Sequence, residues 1–450
     1  MITECGVIGL FSINKKTLIK DAVDGLQCIQ HRGQDSCGIV YTINDELNKL
    51  KDYGLVKNVF TGTEYENILN LKINSIIGHV RYTTSGSKIK KPEYIQPKIY
   101  KKEFAVSFNG NLPDIKKIYP DITLDTDGII RYISDSKSMI KENIIEFQKK
   151  IPGVYCLIII YKNELYITRD RYGLRPLSIG IHNNNSYCIA SETVVLENLK
   201  YSYLREVNPG EVLKIGYNGL EILYQHSSIY ETKCLFEYIY FLRPNSLFGD
   251  INANNFRENC GKELALNDRE FLLKNRDNII VVGCPNSGIC SAVEYASVFN
   301  LQYKQVIKRN IGSNRTFILS SNKERIDALK KKYNLDRDNI KDKIIILIDD
   351  SVVRGNTLSI LLDQINDCKP KELHIRIAAP PVISQCYFGI DIPTKEELIY
   401  NTKNSEEKLV KHYNVTSFKY LNLDFIDRLF NSKLCTSCFT GKYNNKLLEW

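Results

Sequence analysis

The sequence predicts two consecutive domains of different classes, an α+β domain followed by an α/β domain built on a parallel sheet. Its 450 residues are enough for two or three domains, and each half is long enough to bury its own core. The first half contains many short apolar runs, separated by turn residues and with few helix-length segments. In the second half apolar runs alternate with helix-length segments, which is typical of a parallel sheet. This change of pattern predicts a boundary near residue 230.

In the first half, short apolar runs bounded by turn residues predict strands at residues 5–11, 75–81, 104–108 and 154–160. A helix is predicted near residues 20–30. Turn signals, such as Asn109-Gly110-Asn111 and Tyr172-Gly173, separate the strands.

In the second half, strands are predicted at residues 279–282 and 343–348. The first precedes a loop at 283–288 and a helix at 289–299, and the second precedes a helix that begins near Asn356. The continuous apolar run at 344–348 is typical of a strand buried on both faces of a parallel sheet.

Composition excludes several classes of function. The chain is 43% hydrophobic and 25% charged, as in an ordinary soluble globular protein. Its net charge of +9 is mild for this length and no dense Lys/Arg run is present, so we expect no nucleic-acid partner. No apolar stretch reaches the ~18 residues of a membrane span, and the N-terminus lacks the features of a signal or transit peptide. We therefore expect a cytoplasmic location.

The chain contains 13 cysteines without the short regular spacing of a secreted disulfide scaffold. In a reducing compartment this favours metal, cluster or catalytic use for some of them.

Cys5 is a candidate nucleophile close to the N-terminus. One interpretation is a small apolar residue that opens a strand. In the other, residues 1–4 are removed and Cys5 gains a free α-amine. Because such an amine has a pKa of roughly 7.7–8.0, it can accept the proton of its own thiol, directly or through a water. One residue then supplies both nucleophile and base.

Several segments of the first half together resemble the glutaminase domain of the N-terminal-nucleophile amidotransferases. In chain order they are Cys5-Gly6-Val7-Ile8-Gly9, Gln30-His31-Arg32-Gly33-Gln34-Asp35, Gly78-His79-Val80-Arg81-Tyr82-Thr83-Thr84, Asn109-Gly110-Asn111-Leu112 and Asp125-Thr126-Asp127. The resemblance implies a four-layer α/β/β/α fold and catalysis at Cys5.

The resemblance also implies roles for four other residues. The planar fork of Arg81 suits the α-carboxylate of glutamine, and Asp125 is the matching acceptor for its α-ammonium. The Asn109 side chain and the Gly110 backbone N–H would stabilise the tetrahedral oxyanion. Two alternatives stay open: Arg81 could form a surface salt bridge, and Asn109-Gly110 could be only a tight hairpin turn.

In the second half, residues 346–357 predict a phosphate site. A buried strand ends in Asp349 and Asp350, and a small-residue loop and a helix start follow. Ligands dock at this edge of a parallel sheet. Backbone N–H groups at residues 354–357 can hold a phosphate, and Asp349 and Asp350 can flank ribose hydroxyls and Mg²⁺. The alternative is an acidic helix N-cap.

This stretch resembles the binding motif of the type I phosphoribosyltransferases, in its amidophosphoribosyltransferase version. The resemblance implies a doubly wound sheet and a phosphoribosyl pyrophosphate site that includes Ser351, Arg354, Gly355, Asn356 and Thr357. Asn356 departs from the Thr that is common there but keeps hydrogen-bonding ability.

Two further loops complete the implied site. The loop at 283–288 suits the pyrophosphate, and by resemblance its Ser287 lies near the metal. Residues 308–317 match the lid that closes over the substrate, with Lys308 and Arg315 as binding residues. This lid is one residue longer than in the family and lacks its Tyr.

Four cysteines predict a metal or cluster site. Cys435 and Cys438 form a C-x₂-C pair, and their context with those of Cys234 and Cys386 resembles the amidophosphoribosyltransferases that hold a [4Fe–4S] cluster. A Cys₄ zinc site would use the same ligands, and the residues alone do not separate the two.

The resemblance extends over nearly the whole chain and implies a glutamine-dependent amidophosphoribosyltransferase of purine synthesis, with Mg²⁺ and a [4Fe–4S] cluster. The implied divisions are a propeptide at 1–4, a glutaminase domain at 5–230 and a phosphoribosyltransferase domain at 231–450. Relatives imply a homo-oligomer, dimer or tetramer, that purine nucleotides inhibit. The alternatives are a non-catalytic sensor of phosphoribosyl pyrophosphate, and a glutaminase coupled to another sugar-phosphate acceptor.

Overall fold

The computed structural model describes residues 4–82, 91–135, 138–183, 185–227, 231–309, 333–392, 394–430 and 433–443. Within these ranges no helix combines the length and the apolar character that crossing a membrane requires. All 13 cysteines lie in the described ranges, and none of them forms a disulfide.

The first half is built mainly from antiparallel strands. They are β1 (Gly6–Lys16), β2 (Ser36–Ile43), β3 (Glu46–Tyr53), β4 (Ile73–Arg81), β5 (Lys98–Tyr100), β6 (Phe104–Asn111), β7 (Val154–Tyr161), β8 (Glu164–Arg169), β9 (Ser178–His182), β10 (Ser186–Ala190), β11 (Ser202–Glu206), β12 (Glu211–Gly216) and β13 (Gly219–Gln225). The helices are α1 (Leu18–Cys28), α2 (Val56–Val59), α3 (Gly62–Leu69), α4 (Ile115–Ile118), α5 (Asp125–Ser134), α6 (Ile140–Lys150) and α7 (Thr193–Asn198), with a 3₁₀ turn at Pro92–Tyr94.

These strands form two sheets. One is seven-stranded in the order β11-β9-β10-β1-β4-β2-β3, and the other is six-stranded in the order β13-β12-β8-β7-β6-β5. Successive side chains of a strand point to opposite faces. Accordingly Val7 packs between the sheets with Ile158, whereas Ile8 packs outward with Leu26 of α1. Helices α5 and α6 cover the outer face of the second sheet, so the expected α/β/β/α layers are confirmed.

The second half contains helices and strands, and five of these strands form a parallel sheet. Its strands are β14 (Lys233–Cys234), β15 (Leu247–Phe248), β16 (Ile251–Asn252), β17 (Ile279–Gly283), β18 (Gln302–Tyr303), β19 (Ile307–Arg309), β20 (Tyr333–Leu335), β21 (Ile344–Asp349), β22 (Glu372–Ile377), β23 (Ser417–Tyr420) and β24 (Leu434–Cys435). Its helices are α8 (Ala253–Asn267), α9 (Arg269–Asn275), α10 (Ile289–Val298), α11 (Asn356–Asn366), α12 (Ile399–Lys403), α13 (Glu406–Tyr413), α14 (Leu423–Phe430) and α15 (Ser437–Thr440), with a π-helical turn at Glu237–Phe241 and 3₁₀ turns at Arg276–Asn278 and Lys395–Glu397.

The parallel sheet has the order β18-β17-β21-β22-β23. Strand β21 lies near its centre, and its apolar residues are buried because the sheet is covered on both faces. The predicted strand–loop–helix repeats are confirmed as β17–α10 and β21–α11.

The two halves share buried contacts. Leu174 of the first half packs in the same core as Phe236 of the second, and its carbonyl oxygen accepts the N–H of Cys234 at 3.2 Å. Strand β14 in turn pairs in parallel with β24, which ties the C-terminal part of the chain to the junction.

Candidate active sites

Cys5 and Arg81 lie side by side at one end of the first sheet. Gly6 pairs with Val80, so the antiparallel register places Cys5 beside Arg81. Burial raises the pKa of the Cys5 thiol, while a backbone hydrogen bond with Tyr82 and the charge of Arg81 act in the opposite direction. A thiol in this position needs a nearby base to become a nucleophile.

Arg81 is buried rather than on the surface, and is only 6% exposed. Its Nη1 donates to the carbonyl oxygen of Tyr94 at 2.8 Å, and the guanidinium lies 6.0 Å from the centre of the Tyr94 ring. The alternative of a surface salt bridge is therefore wrong. A buried guanidinium next to a thiol suits an anionic ligand group.

Asn109 carries a polar group with no partner. The residue is 2% exposed, and its Nδ2 has no hydrogen-bond acceptor among the described residues. Since a buried donor without a partner is costly, it marks a place where a ligand oxygen can be bound. Asn109 and Gly110 pair with Cys156 and Tyr155 inside the β6–β7 ladder, so the alternative of a hairpin turn is wrong.

A hydrogen bond between His79 Nε2 and the carbonyl oxygen of Phe108, at 2.9 Å, joins the two sheets next to this site. Burial lowers the pKa of His79 to about 3, so the ring is neutral at physiological pH. Because Arg81 follows His79 by two residues and Asn109 follows Phe108, this contact brings the ends of β4 and β6 together.

Asp125 lies at the start of α5, beside the end of β6. Its Oδ2 accepts the backbone N–H of Leu112 at 2.9 Å, three residues after Asn109. Burial raises the pKa of Asp125, and the Leu112 N–H acts against this shift. This hydrogen bond holds the Asp125 carboxylate next to the end of β6.

Sequence reasoning missed a buried cluster of charged residues behind Cys5. Arg32 Nη1 donates to Glu4 at 2.7 Å, Arg32 Nε to Glu192 at 2.5 Å and Arg32 Nη2 to Glu237 at 2.6 Å. Arg175 also pairs with Glu4 and lies 3.6 Å from Glu237. These partners come from distant parts of the sequence, so no local pattern could have indicated the cluster.

The second site lies where two parallel strands end. Gly283 pairs with Ile348, and the Cys284 N–H donates to the Ile348 carbonyl oxygen at 2.8 Å. The loops after β17 and β21 are therefore adjacent, as predicted. A Cβ on Gly288 would lie 2.4 Å from the same Ile348 oxygen, so this close approach requires glycine.

Two hydroxyl groups converge on Asp350. The hydroxyl of Ser287 donates to Oδ1, and that of Ser351 donates to Oδ2 at 2.7 Å. Burial raises the pKa of Asp349 well above its usual range, and the neighbouring Asp350 raises it further. Two crowded carboxyl groups beside hydroxyls are a donor set that fits Mg²⁺ together with substrate oxygens.

Helix α11 begins directly after this acidic pair. Gly355 precedes it with φ 78°, and a Cβ there would lie 2.2 Å from the Tyr413 hydroxyl. The first helical residues, Asn356 and Thr357, are exposed. The first N–H groups of a helix have no intrahelical acceptor, so this start can bind an anion.

Two further residues predicted to bind phosphoribosyl pyrophosphate have exposed side chains. Arg354 is exposed, and its Nε donates to Glu397 at 2.9 Å. Lys308 is exposed on β19, which pairs with β20. Arg315 lies outside the described residues, as does most of the predicted lid.

The four predicted ligand cysteines line one cavity. Cys234, Cys386, Cys435 and Cys438 share its walls with Arg175 and with apolar side chains such as Phe388. Two of these thiols come from β14 and β24, which pair side by side.

In the described part of the chain no three His, Cys, Asp or Glu side chains are arranged to hold a single metal ion. The donor set nevertheless fits a thiolate-bound group larger than one ion, because four thiols face a common space. The buried Arg175 Nε in the cavity wall has no acceptor among the described residues, and a cation there suits an anionic group.

Two family models match this chain. The glutamine amidotransferase domain matches residues 80–198, and the phosphoribosyl transferase domain matches residues 253–387. Full-length relatives are similar as well. An amidophosphoribosyltransferase of Methanothermobacter thermautotrophicus is 33% identical over 99% of this chain and 95% of its own length. One of Bacillus subtilis is 31% identical over the same fractions.

Two solved structures resemble the whole chain. The Bacillus subtilis glutamine phosphoribosylpyrophosphate amidotransferase complexed with ADP and GMP has a TM-score of 0.84 and 31% identity, covering 98% of this chain and 97% of its own. A structure described as the allosteric regulatory enzyme of purine biosynthesis has a TM-score of 0.87 and 31% identity, covering 98% and 96%.

Proposed function

Because this chain belongs to the amidophosphoribosyltransferase family, we propose that it hydrolyses glutamine at Cys5 and passes the ammonia to C1 of phosphoribosyl pyrophosphate at Asp349 and Asp350. Glutamine and phosphoribosyl pyrophosphate are the substrates of this family. The products are glutamate, 5-phosphoribosylamine and pyrophosphate. The main support is that one chain contains both candidate sites. The first combines the Cys5 thiol with the buried, unpartnered Nδ2 of Asn109, and the second lies where β21 ends in acidic residues.

In the first half-reaction the free α-amine of Cys5, after removal of residues 1–4, takes the thiol proton and the sulfur attacks the side-chain amide of glutamine. Arg81 binds the glutamine α-carboxylate, and Asp125 binds its α-ammonium. The Asn109 Nδ2 and the Gly110 N–H stabilise the oxyanion, and one such donor contributes about 3 kcal/mol to lowering the barrier. Ammonia leaves, and water then releases glutamate from the thioester.

In the second half-reaction the substrate phosphate binds at the start of α11, through Ser351, Arg354, Gly355, Asn356 and Thr357. Lys308 and Arg315 bind it from the lid side. Free ammonia, like other amines, is mostly protonated at neutral pH and then is not a nucleophile. A path closed to water between the two sites would keep it neutral until it displaces pyrophosphate at C1.

We assign Mg²⁺ to Asp349, Asp350 and Ser287, where it would neutralise the charge of the leaving pyrophosphate. This assignment is supported by the hydroxyls of Ser287 and Ser351, which both donate to Asp350 and form with it a compact set of oxygen ligands.

We assign a [4Fe–4S] cluster to Cys234, Cys386, Cys435 and Cys438. The four thiols line one cavity together with the buried Arg175, and four thiolates are the ligand set that such a cluster uses. Such a group would link the junction of the two halves to the C-terminal part of the chain.

We further propose a propeptide at residues 1–4, a glutaminase domain at 5–230 and a phosphoribosyltransferase domain at 231–450. A cytoplasmic location and a homo-oligomeric state belong to the same proposal. Inhibition by purine nucleotides is supported by the nucleotides bound to the Bacillus subtilis relative.

The direct test measures glutamate and pyrophosphate released by the purified chain given glutamine, phosphoribosyl pyrophosphate and Mg²⁺. We expect the two products in equal amounts. The Asp349→Asn, Asp350→Asn double variant should keep glutamine hydrolysis and lose pyrophosphate release. Glutamate without pyrophosphate from the parent chain, but with turnover of another sugar phosphate, would instead favour a different acceptor. If the parent chain released neither glutamate nor pyrophosphate, that result would favour a non-catalytic sensor.

A further inference from the structure

A short segment of the second half touches the end of β6 in the first half. Asn111 Nδ2 donates to the carbonyl oxygen of Tyr387 at 2.9 Å. Gly389 lies against the same residue with φ 93°, and a Cβ there would lie 2.9 Å from Asn111 Cβ and 3.5 Å from the Gly110 carbonyl carbon. The segment 387–389 therefore contacts the two residues that follow Asn109.

The backbone at the end of β6 also lies close to β7. On the opposite side, a Cβ on Gly110 would lie 2.1 Å from the Val154 carbonyl oxygen of β7. A Cβ on Gly153 would lie 2.9 Å from the Asn111 oxygen. Residues 109–111 therefore contact both β7 and the segment 387–389, so a shift of that segment would be transmitted to the end of β6.

The segment 387–389 is itself firmly anchored. The Phe388 side chain is 3% exposed, and its carbonyl oxygen accepts Nη2 of the buried Arg175 at 2.8 Å. The Phe388 N–H donates to the sulfur of Cys386 at 3.3 Å. These contacts allow the segment to act as a fixed support rather than as a flexible surface loop.

We propose that the segment 387–389 is a positioning element for glutamine hydrolysis: through Asn111 and Gly389, the phosphoribosyltransferase half fixes the oxyanion donors Asn109 and Gly110. This inference rests on the proposed function, because it assumes that these donors face the reacting amide. It adds two positioning residues, Asn111 and Gly389, that touch neither substrate.

The test uses two variants of the full chain. Gly389→Ala inserts a methyl group against Asn111, and Asn111→Ala removes the hydrogen bond to Tyr387. Losing one oxyanion donor costs ~100-fold or more in kcat, and small misplacements are also costly. We therefore expect kcat for glutamine hydrolysis to fall by about 10-fold to 100-fold. The KM for glutamine and the ammonia-dependent turnover should change by less than about twofold, because neither depends on the oxyanion donors.

Gly249→Ala and Asn198→Ala are the matched controls. Gly249 also has positive φ, 62°, but the three atoms nearest to its Cβ position all belong to the flexible Lys233 side chain. Asn198 also donates to a backbone oxygen, that of Val194 at 2.8 Å, but on the exposed side of α7. Both should leave glutamine hydrolysis unchanged.

Three outcomes would overturn the positioning role: unchanged kcat in both variants, a raised KM with kcat retained, or equal loss of glutamine-dependent and ammonia-dependent turnover. If Gly389→Ala fails to fold by circular dichroism, Asn111→Ala alone decides, since it adds no atoms. Failure of the proposed function itself would be visible in the parent chain, which would then release no pyrophosphate with glutamine.

Discussion

Next to Cys5, Glu4 belongs to a buried cluster in which three carboxyl groups face two arginines. Arg32 and Arg175 face Glu4, Glu192 and Glu237, all buried. Burial raises the pKa of Glu4 to about 8, whereas Arg32 and neighbouring groups hold the pKa of Glu237 below its usual range against the effect of burial. Glu4 is therefore the carboxyl group of this cluster that keeps its proton most readily, whereas Glu192 has a further partner in His31 Nε2 at 2.7 Å.

This imbalance predicts how stability depends on pH while residues 1–4 are retained. A carboxyl group whose pKa is raised in the folded state holds a proton that the unfolded chain has released. The free energy of unfolding should therefore fall as pH rises from 4.5 to about 8. Glu4→Gln, which stays neutral, should remove this loss and stabilise the chain at pH 9 by roughly 2–4 kcal/mol.

Denaturant unfolding at several pH values checks this, on chains whose intact mass includes residues 1–4. Glu46→Gln, at an exposed position on β3, is the control and should leave the pH profile unchanged. A Glu4→Gln chain that is less stable than the parent at pH 9 would show that the ionised carboxylate is the favourable form.

Sequence reasoning worked for residues whose chemistry is local. Asp349 and Asp350 could be predicted because they follow a buried strand directly, and Cys5 because of its position and neighbours. It could not find Arg175 or Glu237, because their partners come from other parts of the chain and only the fold brings them together.

Among the elements, the strand ends of the second half carry the chemistry. The predicted β21 and α11 are confirmed, because a continuous apolar run followed by acidic residues and a small-residue loop is a strong local signal. The pairing of β14 with β24 was not predicted, since two-residue strands from opposite ends of the second half have no periodicity to read. The predicted turn at residues 109–111 was wrong because β6 continues through it, and the ladder with β7 overrides the turn preference of Asn-Gly.

The glycine before α11 allows a sharp prediction at this scale. Gly355→Ala places a methyl group 2.2 Å from the Tyr413 hydroxyl, at a φ of 78° that L-residues rarely adopt. The start of α11 should shift, and the KM for phosphoribosyl pyrophosphate should rise by about 10-fold or more. Glutamine hydrolysis should persist.

Steady-state kinetics with each substrate varied in turn separates these effects. Gly441→Ala is the control, because this glycine also has positive φ, 68°, but among the described residues nothing beyond its two chain neighbours lies within 4 Å of its Cβ position. An unchanged KM in Gly355→Ala would contradict the role given to this helix start.

At the scale of the whole molecule, several features lie at the junction between the halves. They are the cavity lined by the four cysteines and Arg175, and the hydrogen bond from Asn111 to Tyr387. Leu174 of the first half and Phe236 of the second pack in one shared core. How the halves face each other could not be predicted, because it depends on contacts between single residues far apart in the chain.

The assignment of a [4Fe–4S] cluster predicts how much iron the purified protein contains. Protein prepared without oxygen should be brown and contain about four irons per chain, and removal of iron by a chelator should lower the melting temperature. Cys386→Ala should lose the iron, whereas Cys260→Ala, a buried cysteine outside the cavity, should keep it. Elemental analysis that finds one zinc per chain would refute the cluster.

The central claim is that nitrogen is released at Cys5 and used at a separate site in the same chain. The most direct measurement compares pyrophosphate release by Cys5→Ala with glutamine and with a high concentration of ammonium at alkaline pH. The account predicts no turnover with glutamine and turnover close to that of the parent with ammonia. Turnover with glutamine, or loss of activity with both nitrogen sources in a folded variant, would contradict it.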